Sequence, residues 1–141
     1  MKEIQYAQSA KEIESCWEVV HELRPHLNKE DYLGLVEEMM QDGFKMIYIE
    51  EDNKPVAFAG FRNMTKLYSG RIIYIDDLGT LPEYRGRGYA GQLLDYIQQL
   101  AKDTGKVKVQ LDSGHQRFDA HRLYLNKRFK IVAHHFLKSL E

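Results

Sequence analysis

The sequence predicts a mixed α+β protein: a central sheet of about six to seven strands flanked by about four helices. Three observations predict it. Short apolar or alternating runs of strand length recur near residues 4–7, 44–50, 55–64, 72–81, 107–111 and 129–137. Between them lie windows with apolar residues three and four apart, the helical spacing. Their order, hairpins first and then a strand–helix–strand crossover, fits a mixed sheet and neither a sandwich nor a bundle. A chain of 141 residues has the length of one domain, spanning 1–141, and can bury around two-thirds of its unfolded surface.

Each element has its own signal. Ser9 is a good N-cap with Glu12 three residues on. Ile13, Cys16, Trp17, Val20 and Leu23 follow at helical spacing until Pro25 stops the helix. Asn28, with Asp31 three residues later, opens a second helix. Its apolar face is Tyr32, Leu35, Val36, Met39 and Met40, and Gly43 ends it. Residues 44–50 read as a strand, Asp52-Asn53-Lys54 as a turn, and Pro55 begins the next strand. Tyr68-Ser69-Gly70 is another turn. The run 72–81 is almost continuously apolar, as in a central strand buried on both faces, and Pro82 ends it. Residues 88–104 give the clearest helix: Ala90, Leu93, Leu94, Ile97, Leu100 and Ala101 make one stripe, closed by Gly105. Val107, Val109 and Leu111 alternate with Lys108 and Gln110, the pattern of a strand. Residues 117–127 read as a last helix and 129–137 as a last strand.

Composition narrows the function. Twenty Lys and Arg stand against twenty-one Asp and Glu, a net charge of −1, which excludes the basic footprint of a general nucleic-acid binder. At 43% hydrophobic and 29% charged, the balance is that of an ordinary folded protein. Cys16 is alone, so it can form no intrachain disulfide, and without a Cys/His cluster no metal site is expected. No apolar run approaches the roughly 18–20 residues of a membrane span, and the first residues lack a signal-peptide core. The expectation is a cytoplasmic protein with no metal, membrane or nucleic-acid partner.

One segment carries chemistry: Leu78-Gly79-Thr80-Leu81-Pro82-Glu83-Tyr84-Arg85-Gly86-Arg87-Gly88-Tyr89-Ala90-Gly91. A buried strand runs into a glycine-rich loop that opens a strong helix, whose first turn offers free N–H groups and the positive end of the dipole. Gly86 and Gly88 remove side chains that would hold an anion away, and Arg85 and Arg87 add positive charge. The combination suits a pyrophosphate. Read literally, Gly86-x-Gly88-x-x-Gly91 with Asp112 farther on also matches a dinucleotide fingerprint. Against that, Pro82, Glu83, Tyr84 and Arg85 separate the strand from the glycines, and too little chain follows Asp112 for a second mononucleotide half.

The whole chain fits another pattern. Arg85-x-x-Gly88-x-Ala90 resembles the pyrophosphate motif of the GCN5-related N-acetyltransferases. Ala120-His-Arg-Leu-Tyr124-Leu-Asn-Lys-Arg-Phe129 is similar to that family's Ala-x-x-x-Tyr-x-x-x-Gly-Phe signature, and the element order matches as well. Arg128 departs from the usual Gly, and Arg117 stands where an Asn is common.

The resemblance implies that acetyl-CoA serves as co-substrate. Its pyrophosphate would sit on the backbone of Arg85, Gly86, Arg87, Gly88, Tyr89 and Ala90. Its pantetheine arm would pair with Leu78, Gly79 and Thr80, which requires the 72–81 and 107–111 strands to splay. A backbone N–H near Leu78 would stabilise the oxyanion. The resemblance further implies Tyr124 as general acid to the departing thiolate, although a plain packing role also suits a helical Tyr.

Asp76 and Asp77 are costly in an apolar strand unless paired or facing a cavity. Alternation sends them to opposite faces, so Asp76 is expected to meet the amine and Asp77 to be structural or to touch substrate. His121, three residues before Tyr124, is a candidate base or substrate contact, or simply a surface His. The expected reaction moves acetyl to a primary amine of a small molecule or protein, by direct attack in a ternary complex. An acyl-CoA-binding module without catalysis is the alternative, and the resemblance also implies a homodimer.

Overall fold

Five strands form the mixed sheet. They are β1 (Gln5–Tyr6), β2 (Lys45–Glu51), β3 (Lys54–Lys66), β4 (Gly70–Thr80) and β5 (Lys108–Leu111), ordered β1-β2-β3-β4-β5. The first four pair antiparallel and β5 joins β4 in parallel. The helices are α1 (Ala10–Ser15), α2 (Trp17–Leu23), α3 (Lys29–Gln41), α4 (Tyr89–Asp103) and α5 (Phe118–Asn126). The computed structural model describes all 141 residues. It divides into two units, Met1–Leu111 and Asp112–Glu141.

In the first unit, local signals explain the helix ends. Ser9 caps α1 in a full capping box, its side chain accepting from the Glu12 N–H while the Glu12 carboxylate accepts from the Ser9 N–H. The single first helix expected from the spacing is two helices. At Cys16 the N–H bonds back to Ile13 over three residues, which tightens the turn and restarts the helix with Val19 and Val20 buried. Apolar spacing alone does not register such a break. Arg24 ends α2 because it precedes Pro25, which pushes it off helical torsions to φ −123°, ψ 70°.

The sheet core is deep. Seven successive residues of β3, from Pro55 to Phe61, are buried, so both faces of the strand are covered, and α2 and α4 both pack on it. Leu93, Leu94, Ile97 and Ala101 of α4 are buried together, each leucine or isoleucine contributing about 1.5–3 kcal/mol. Gly79 of β4 admits α2: a Cβ there would stand 3.1 Å from the Phe58 ring and 3.3 Å from Leu23. The β2–β3 link is a two-residue hairpin turn, with Asp52 and Asn53 both left-handed, at φ 55° and 60°.

The second unit holds α5 and then no regular structure. The strand expected over 129–137 does not form, so the sheet has five strands, fewer than expected. Ile131, Val132, Phe136 and Leu137 are all more than three-quarters exposed. Alternating apolar residues make a segment able to pair; the ladder itself needs a partner edge, which this segment does not find within the chain.

Candidate active site

Strand β4 is longer than its parallel neighbour. β5 pairs with Ile72, Ile73, Tyr74 and Ile75 only. From Asp76 to Thr80, β4 keeps β3 on one side and has no strand on the other. The resemblance implies a splay between these two strands beyond this point; β5 itself ends at Leu111, opposite Ile75. The open stretch leaves the backbone of Leu78, Gly79 and Thr80 able to pair with an extended amide chain.

The open edge leads directly into the glycine-rich loop. Leu81 bonds its N–H to Val56, Pro82–Tyr84 makes one 3₁₀ turn, and Arg85 is extended. Gly86 and Gly88 then take left-handed torsions, φ 79° and 82°, where side-chain-bearing residues are strained. Gly88 is the N-cap of α4 and has no side chain to cap it; the first helical bond runs from the Gln92 N–H to the Gly88 carbonyl. The first-turn N–H groups, those of Tyr89 and Ala90 among them, therefore face outward with the positive end of a fifteen-residue helix behind them.

The two arginines of this loop differ. Arg85 is 61% exposed, donates to the Thr80 carbonyl at 3.3 Å and lies 3.7 Å from Glu22. Arg87 is held: it pairs with Glu51 at 2.5 Å and its guanidinium lies over the Tyr84 ring, 4.9 Å from the centroid. Tyr89 is buried and its hydroxyl also donates to Glu51. With these partners, chiefly the Tyr89 hydroxyl, the Glu51 carboxyl sits below the usual carboxylate range.

The acidic pair lies on a bulge. Gly60 pairs with Asp77 and Phe61 with Ile75, so Asp76 is the extra residue and strict alternation breaks there. Both carboxylates meet arginines. Asp76 accepts from Arg62 through both oxygens, at 3.0 and 2.9 Å. Arg24 donates to Asp77 Oδ1 at 2.8 Å and to the Asp76 carbonyl at 3.0 Å. The Asp77 side chain is only 16% exposed, and burial raises its pKa despite the Arg24 cation. Gly60 makes room beside it: a Cβ there would stand 2.3 Å from the Phe44 ring and 3.2 Å from Asp77 Oδ2.

Tyr124 and His121 belong to the second unit. Tyr124 is half-buried on α5, its ring meeting Phe129 edge-on at 5.9 Å. The helix ends in a Schellman motif: Phe129 N–H bonds to the Tyr124 carbonyl and Arg128 N–H to that of Leu125. Arg128 takes the left-handed position, φ 68°, that the motif reserves for glycine. Arg117 is the α5 N-cap and makes no side-chain capping bond. His121 Nε2 is 2.8 Å from the Gly114 carbonyl, which orders the loop before α5.

A sequence model described as the acetyltransferase (GNAT) family matches residues 8–129, most of the chain. The protein belongs to this family. Membership makes it an acetyl-CoA-dependent N-acyltransferase. A Bacillus subtilis (strain 168) protein known as the uncharacterized N-acetyltransferase YhdJ is 34% identical over 132 residues, covering 92% of this chain and 93% of that one. Two solved structures share the fold at a TM-score of 0.84. One is AAC(6')-Iy in complex with the bisubstrate analogue CoA-S-monomethyl-acetylneamine, 16% identical over 100% of this chain and 99% of the other. The second is a transcriptional regulator from Bacillus halodurans C-125, 23% identical over 99% of both chains.

Several residues of the candidate site have no motif to announce them. Arg24, Arg62, Phe44 and Glu51 reach it from distant elements, and their partners lie 14 to 53 residues away in sequence. Only Arg24 carries a faint signal, because its position before Pro25 marks the end of a helix. A surface cleft of about 570 Å3 adjoins the start of this loop at Leu81, Pro82 and Glu83 and is lined also by Trp17, His21 and glutamates 14, 18 and 22. None of the nominated site residues lines it.

Proposed function

We propose that this GNAT enzyme moves the acetyl group of acetyl-CoA to a primary amine by direct attack within a ternary complex. The observation that carries this reading is the continuity of the open β4 edge from Asp76 to Thr80 with the left-handed glycines at the start of α4. An extended pantetheine amide chain suits the first, and a pyrophosphate suits the second. Arg85, Gly86, Arg87, Gly88, Tyr89 and Ala90 form the cofactor loop, with Arg85, the more exposed of the two arginines, as the cation that meets phosphate.

In the reaction, the amine nitrogen attacks the thioester carbonyl, the C–S bond breaks and the thiolate takes a proton. The N–H near Leu78 stabilises the oxyanion, and Tyr124, at the position matching the family's donor, supplies the proton to sulfur. Positioning supplies most of the remaining gain. Of the acidic pair, Asp77 suits acceptance of the amine proton better than Asp76. Arg62 occupies both Asp76 oxygens, whereas both contacts of Arg24 to the Asp77 carboxylate fall on Oδ1. The acceptor is a primary amine of a small molecule or a protein; the acidic pair, answered by Arg62 and Arg24, does not by itself select a cationic one.

Thermal unfolding tests the reading. A ligand at 100 times its Kd adds about 2.7 kcal/mol and raises Tm by several degrees. Acetyl-CoA and CoA are expected to give this shift, and NAD and ATP are not. No CoA shift, or an equal one for NAD or ATP, overturns it.

A further inference from the structure

The turn between β2 and β3 grips the loop assigned above to pyrophosphate. Glu51 ends β2 and binds both Arg87 and Tyr89, one through each carboxylate oxygen. Its neighbour Asp52 accepts from the Tyr84 hydroxyl at 2.6 Å, and that bond pushes the Tyr84 pKa up to about 12. Arg87 lies over the same Tyr84 ring and also donates to the Glu83 carbonyl at 3.5 Å. Two adjacent carboxylates thus tie down three side chains of the segment, on either side of Gly86 and Gly88. The turn is a tight two-residue one, with Asp52 and Asn53 in consecutive left-handed torsions.

The physical need for such a grip is plain. Glycines lose more conformational freedom on ordering than other residues, and this loop has two within three positions. A loop that must order only on binding spends that entropy against affinity; one ordered beforehand does not. The charges argue the same way. A carboxylate is the wrong group to place beside a phosphate site unless its role is to hold something else. Glu51 is taken up by Arg87 and Tyr89, and this turns Arg87 from a phosphate ligand into a strut.

We propose that Glu51 is a positioning residue for acetyl-CoA: acting through Arg87 and Tyr89, with Asp52 acting through Tyr84, it preshapes the Gly86–Gly88 loop for the cofactor pyrophosphate. The inference rests on the cofactor reading above.

The test is the Kd of acetyl-CoA, by titration calorimetry, for the wild type, Glu51→Gln, Glu51→Asp, Arg87→Gln and the double variant Glu51→Gln/Arg87→Gln. Glu51→Gln is expected to weaken binding about tenfold and Glu51→Asp to recover part of the loss. The double variant should bind no worse than the weaker single one, because the two residues act as a unit. Tyr84→Phe, which removes a single hydroxyl, should weaken binding two- to threefold while leaving the apo Tm within a few degrees. It keeps the test decisive if a Glu51 variant fails to fold. Glu51→Gln binding within twofold of wild type, or multiplying independently with Arg87→Gln, overturns the proposal. So does tighter binding, which would mean that Glu51 merely neutralises a phosphate ligand. A wild type that binds no CoA overturns the cofactor reading and this inference together; a wild type that binds while the variants bind equally overturns the inference alone.

Discussion

At the residue scale, Tyr124 separates a catalyst from a binding module. Its ring packs edge-on against Phe129 and its carbonyl accepts the helix-end bond from the Phe129 N–H. Tyr124→Phe is expected to lower kcat for acetyl transfer by 10²- to 10⁴-fold, the usual span for a lost general acid, with acetyl-CoA affinity unchanged. Parallel measurement of turnover and Kd checks this, and unchanged turnover removes Tyr124 from the mechanism. The sequence located this tyrosine through its motif. It could not locate Arg24 or Arg62, because the cost of burying Asp76 and Asp77 names no partner; it demands only that partners exist.

At the element scale, the end of α5 shows what the family's glycine does. Arg128 stands at the C′ position of the Schellman motif with φ 68°, so the turn is kept without the residue that makes it easy. The left-handed conformation costs an ordinary residue about 1 kcal/mol. Arg128→Gly is therefore expected to stabilise the protein by up to about 1 kcal/mol, read as a higher midpoint in urea. A lower midpoint would mean that the Arg128 side chain contributes more than its backbone costs. The departure from the signature was visible in the sequence; that the turn survives it was not, since two backbone bonds and one ring contact decide that.

At the scale of the whole molecule, the half-buried carboxyl of Asp77 sets a pH dependence. Burial holds the Asp77 pKa above its ordinary value of 3.8. A carboxyl raised in the folded state binds protons more tightly there than in the unfolded chain. Its contribution to stability is complete below about pH 3.8 and is lost as pH rises through the folded pKa. Asp77→Asn lacks this loss. Its Tm relative to wild type should therefore rise as pH is taken from below 4 to neutrality. A relative Tm that falls over the same range would show the Arg24 cation outweighing burial.

Much of this protein was legible from residue order. The strand runs, the α4 stripe, the Ser9 capping box and the two spaced motifs are local patterns, and local patterns follow from spacing and from side-chain type. The sequence by itself determined the fold class, the family and the glycine-rich start of α4. Only the tertiary structure decided where β5 stops along β4, that a bulge carries Asp76 and Asp77, that Arg62 and Arg24 answer them, that Glu51 holds Arg87, and that 129–137 is not a strand. The side-chain pairings among these join residues 14 to 53 positions apart, and the last is a pairing that does not form. Which partner a charge or a strand edge finds is settled by three-dimensional proximity, and apolar spacing carries no record of it.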